Sequence, residues 1–149
     1  MRISLVAIAA FSALSVTAPA DPTSVGALEF YWLCTTQATG CKGIEAIGDM
    51  ASHSIERSAF LATTSSATWS ECQRSGDPFL CVTLEAGDME RLNAFAIPAH
   101  RHDSAALVYR GKVIAIMGFI GPTHGPLYIG GPNGAMSTGD VKSFLSSGQ

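Results

Sequence analysis

The chain has no Gly-x-Ser-x-Gly elbow and no glycine-rich loop ending in the Lys-Ser/Thr pair that holds phosphate. Its one glycine-dense stretch, Gly130-Gly131-Pro132-Asn133-Gly134, lacks that ending and reads as a tight connection. Basic charge is scarce as well. Lys and Arg number 9 against 12 Asp and Glu, a formal net charge of −3, which gives no footprint for nucleic acid or anionic lipid. No internal repeat or low-complexity linker divides the sequence. Past Ala20, no apolar run reaches the roughly 20 residues needed to cross a bilayer. The longest, Val113 to Ile120, suits a buried strand.

The amino terminus is a different matter. Arg2 precedes an apolar run from Ile3 to Val16, followed by Thr17-Ala18-Pro19-Ala20, the small-residue pattern of a signal peptidase site. This predicts a secretory signal peptide over residues 1–20, cleaved after Ala20, and a periplasmic or secreted protein. No cysteine stands at the cleavage point to carry a lipid. Removal leaves 149 − 20 = 129 residues, one domain's worth. Loss of Arg2 takes the side-chain charge to −3 − 1 = −4.

Cys34, Cys41, Cys72 and Cys81 all lie in the exported part, where an even count favours disulfides. Four cysteines allow three connectivities. The sequential pairing, Cys34 with Cys41 and Cys72 with Cys81, is favoured because each pair brackets a turn-rich segment, Thr39-Gly40 in one and Ser75-Gly76-Asp77-Pro78 in the other. On the chain-entropy view each short loop contributes about 2.5 kcal/mol. A four-thiolate zinc site is the rival reading, but neither gap matches a zinc knuckle.

Patterning along the mature chain predicts an α+β domain over residues 21–149. Ala27 to Cys34 is aromatic-rich and strand-like, Gly43 to Ser54 is ambiguous between helix and hairpin, and Glu56 to Ala62 is a second candidate strand. Thr63 to Ser66 is a polar loop. Thr68-Trp69-Ser70-Glu71 matches a capping box, which predicts a short helix through Arg74. A strand up to Leu84 leads into a helix carrying Met89, Leu92 and Phe95, with Asp88 and Glu90 at its acidic start and Pro98 as its stop. Ala106 to Tyr109 and Lys112 to Met117 form a hairpin about Arg110-Gly111. Pro126 to Gly130 is a short strand. Ser137 caps a last helix that turns Val141, Phe144 and Leu145 to one face, with Asp140 near its positive end.

From about Ser58 to Leu145 this order of elements resembles the periplasmic head subdomain of SecD-type protein-export proteins. The likeness rests mainly on the Arg110-Gly111-Lys112-Val113 turn and the Gly130-Gly131 step before the last helix, with Cys81-Val82-Thr83-Leu84-Glu85 as the preceding strand. It implies a small sheet of mostly antiparallel strands with two or three helices packed on one face. It further implies contact with translocating or extended polypeptide. The family's membrane helices have no counterpart here, and the paired cysteines are an addition.

Three functional classes follow. The first is a non-enzymatic exported domain, without cofactor, that binds a polypeptide partner in export or envelope quality control. Met117, Phe119 and Ile120, followed by Gly121-Pro122, are its candidate contact residues, since an apolar patch beside a free strand edge is what strand addition requires. The second is a secreted metal-binding or hydrolytic protein centred on His100, His102 and His124, because histidines two apart on an extended segment point to one side. Against it, Arg101 would repel a divalent cation. The third is an envelope inhibitor or immunity-type protein, which fits size, disulfides and export equally. N-terminal sequencing of the exported protein is expected to begin at Asp21; a start at Met1 would refute the cleavage.

Overall fold

Ala67 and Trp69 are buried while Thr68 and Ser70 between them are half exposed. That period of two belongs to a strand, not to the helix a capping box implies. The computed structural model describes residues 21–35, 39–48, 52–96, 104–119, 121–132, 134 and 136–148. The expected signal peptide (1–20), Pro98, His100, His102 and Ile120 lie outside the described residues. Within them are ten strands and two helices. In chain order they are β1 (Thr23–Val25), β2 (Glu29–Trp32), β3 (Cys41–Ile44), β4 (His53–Glu56), β5 (Leu61–Ala62), β6 (Ala67–Arg74), β7 (Asp77–Thr83), α1 (Ala86–Ala96), β8 (Ser104–Tyr109), β9 (Lys112–Gly118), β10 (Leu127–Ile129) and α2 (Thr138–Ser146).

One four-stranded sheet has the order β1-β6-β7-β10, a second has β5-β2-β8-β9, and β3 with β4 makes a separate hairpin. Every pairing between these strands is antiparallel. The expected α+β fold with helices layered on one face of a single SecD-head-like sheet is therefore corrected to a sheet-dominated fold. The two short helices do not share a layer: α1 lies against β5 in the second sheet and α2 against β7 in the first. The segment read as a capped helix is β6, held by seven cross-strand pairs from Thr68↔Thr83 to Arg74↔Asp77.

Both long hairpins turn through two residues with positive φ. Ser75 and Gly76 (φ 54° and 88°) join β6 to β7, and Arg110 and Gly111 (φ 50° and 74°) join β8 to β9. This handedness matches the twist of the flanking strands, which accounts for glycine at the second position of each. Cys72 pairs with Cys81 across the first hairpin, and Cys34, just after β2, with Cys41 at the start of β3. In the ladder Cys72 faces Phe79 and Cys81 faces Ser70, so the first bond runs diagonally between neighbouring strands. It does not fasten a helix to a strand.

A single core gathers Val25, Leu80 and Val82 from the first sheet, Phe30, Leu107 and Ile114 from the second, and Leu92, Val141 and Leu145 from the helices. α2 has the expected cap: the Ser137 hydroxyl accepts from the Asp140 amide at 3.1 Å. α1 is anchored by a buried charge. The Asp88 side chain is 1% exposed. It accepts from the amides of Thr64 and Ser65, the Thr64 hydroxyl and the Arg91 guanidinium, at 3.0 to 3.2 Å. Burial alone would raise this carboxyl's pKa, but those donors outweigh it and hold it below its ordinary 3.8. A depressed folded-state pKa contributes stability that is present above the unfolded value and is lost as pH falls through the folded one. Asp88→Asn is expected to lower stability at neutral pH by about 1–3 kcal/mol. Urea titrations at descending pH should show that deficit shrinking below 3.8; a deficit constant with pH would refute the charged role.

Candidate functional site

An edge strand displays whatever backbone groups its single neighbour leaves unused. In the second sheet β9 pairs with β8 on one side only. The Ser104 carbonyl accepts from the Leu33 amide, so the backbone of Ser104 faces β2. Alternation then turns Ala105 and Leu107 toward β9. Their partners Met117 and Ala115 point back at β8. Ile116 and Gly118 consequently present their N–H and C=O groups to the outer edge, and among the described residues nothing pairs with them there.

The near end of the same edge is occupied. Val113 donates to the Glu45 carbonyl at 2.9 Å and accepts from the Ile47 amide at 3.1 Å, a parallel bridge centred on Ala46. Beside it Lys112 meets the Glu45 carboxylate at 2.7 Å, which holds that carboxyl below its ordinary value. A β-bulge opposite Val108 separates this closed end from the open one.

The face of the sheet next to the open end is apolar. Paired residues share a face, which places Trp32, Ala105 and Met117 together. Trp32 stacks on Phe60 with ring centroids 4.1 Å apart, meets Phe119 edge-on at 5.8 Å, and Phe60 in turn contacts Phe95 at the end of α1. Phe95 is 49% exposed. The aromatic corner thus runs from the core to solvent beside β9. Asn93 ties the loop after β9 to α1: its amide donates to the Thr123 carbonyl and accepts from the Thr123 amide.

Of the expected contact residues, Met117 lies half buried on this edge and Phe119 is buried against Trp32. The chain leaves the sheet after Gly118, so Phe119 turns inward instead of continuing a surface stripe. Sequence reasoning missed Ile116, whose role comes from the register, and Phe60, Phe95 and Trp32, which converge from three separate segments. His124 is exposed in the loop before β10. Among the described residues no group of three or more His, Cys, Asp and Glu is placed to hold a metal ion.

A second exposed aromatic group lies on the outer face of the first sheet. Tyr128, 42% exposed, faces Cys81 in the ladder; the Arg74 guanidinium sits 4.9 Å over its ring, and Phe79 meets it edge-on. Gly131 permits this grouping, since a Cβ there would lie 2.4 Å from the Phe79 ring.

No helix among the described residues is long and apolar enough to cross a membrane. The two disulfides are compatible with an exported protein. No protein family, curated protein or solved structure matches the chain. Amide hydrogen exchange followed by NMR is expected to show Ile116 and Gly118 exchanging fast while Ala115 and Met117 between β9 and β8 are protected. The reverse pattern would refute the register argued above.

Proposed function

We propose that the protein is a non-enzymatic binding domain that grips an extended polypeptide by adding it as a strand to the outer edge of β9. The observation that carries this reading is the outward-facing backbone of Ile116 and Gly118, lying next to a half-buried Met117 and an aromatic corner that ends in exposed Phe95. Main-chain hydrogen bonds to such an edge supply affinity without demanding a particular sequence, and a neighbouring apolar wall favours partners with large apolar side chains at alternate positions. A partner in the cell envelope, met during export or quality control after cleavage behind Ala20, is part of the same reading. The paired cysteines support an oxidising location.

Ile116→Pro removes one outward donor that β8 does not use, so the sheet tolerates it as edge strands tolerate proline. With a short synthetic peptide of alternating valine and threonine capped by lysines as probe, calorimetry is expected to show binding to the mature, oxidised protein. That binding should weaken about tenfold or more in Ile116→Pro, a loss of one main-chain contact and of strand continuity. Ile116→Lys, a gatekeeper charge on the same edge, serves where the proline variant fails to fold. Equal affinity in wild type and both folded variants would overturn the reading, as would no binding to any of them or stoichiometric bound metal on the purified protein.

A further inference from the structure

The segment from Glu45 to Ile47 does to β9 what a partner strand would do. It runs parallel to β9 and takes both outward groups of Val113. Among the described residues its attachments are local: two main-chain bonds, the buried Ile47 side chain, a partly buried Ala46, and an ion pair in which Lys112 and Glu45 are 42% and 75% exposed. Ion pairs that open to water hold little. The segment ends at Gly48, whose φ of 72° suits glycine. Beyond the strap, among the described residues of β9, Ile116 and Gly118 are left to pair, too short a run for a stable added strand.

We infer that Glu45–Ile47 is an internal strap that competes with the partner strand for β9, so that full engagement displaces it from Val113. This rests on the strand-addition reading above. Exchange of one strand for the other leaves the Val113 N–H and C=O paired before and after, which offsets the cost of opening the edge. The strap's closed population lowers the apparent affinity by the fraction of molecules in which the edge is open. It also keeps the full length of β9 from pairing edge to edge with other chains when no partner is present, the hazard of any free edge.

Two measurements on the mature, oxidised protein with the same valine–threonine peptide test this. Glu45→Lys sets like charges beside Lys112 on an exposed surface, and is expected to raise peptide affinity about three- to tenfold, as an edge freed more often requires. On peptide addition the Ile47 amide should lose its hydrogen-exchange protection while the Val113 amide keeps it, because Val113 changes partner and Ile47 loses one. Ile47 protection unchanged in a complex that does protect Ile116 would overturn the strap and leave strand addition standing. Glu45→Lys with unaltered affinity would overturn it likewise. Absence of peptide binding by the wild-type protein would overturn strap and strand addition together.

Discussion

The pairing of β2 with β8 is the constraint on which the other features depend. Four residue pairs, from Glu29↔Val108 to Trp32↔Ala105, place a continuously buried strand at the centre of the second sheet. Small residues at Ala105 and Ala106 leave room for Trp32 and Tyr31 opposite them. A slip of one residue would exchange every side chain between the faces and send the aromatic rings away from Phe60 and Phe119. The same register decides which groups of β8 turn toward β9, and therefore which groups of β9 remain for the outer edge. Packing in the core and the chemistry available at the surface come from a single choice of alignment.

Polar side chains do the work of joining elements that the ladders leave separate. The Thr63 hydroxyl accepts from the Leu28 amide, while Asp88 gathers Thr64, Ser65 and Arg91, so the short loop after β5 holds both β2 and α1. Asn93 performs the same service for the loop before β10. Lys42 lies 4.7 Å over the Tyr31 ring and links the β3–β4 hairpin to the second sheet, and burial together with the Glu29 carboxylate keeps that phenol protonated above its usual range. Each clamp satisfies groups that are costly to bury unpaired.

Local signals were legible where local chemistry decides. Arg110-Gly111 marked its hairpin, Ser137 its helix cap, and Met89, Leu92 and Phe95 the helix α1. Where pairing between strands decides, the reading went astray. Thr68-Trp69-Ser70-Glu71 has the spacing of a capping box, but seven cross-strand pairs and a disulfide hold it as β6, and a ladder of that length outweighs a cap worth about 1 kcal/mol. The overestimate of helix in the fold class follows from that error. At the candidate edge, Met117 carried a visible apolar signal, whereas Ile116 owes its part to the register of β8, and Phe60 and Phe95 to contacts between segments distant in sequence. Such information is distributed over pairs of segments, and no single stretch contains it.

The order in which the strands occur in the chain has a kinetic consequence. The β6–β7 and β8–β9 hairpins close across two residues each, so they form early and locally. The β2–β8 ladder instead joins segments separated by everything from Leu33 to Asp103, and its loop-closure entropy must be met before its contacts give anything back. For a chain delivered amino terminus first, Glu29-Phe30-Tyr31-Trp32 therefore emerges as an aromatic strand whose first mate, β5, covers two of its residues, and whose longer partner β8 follows only after most of the domain. Pairing over so long a stretch of chain is the kind of folding step that is slow and exposed to aggregation.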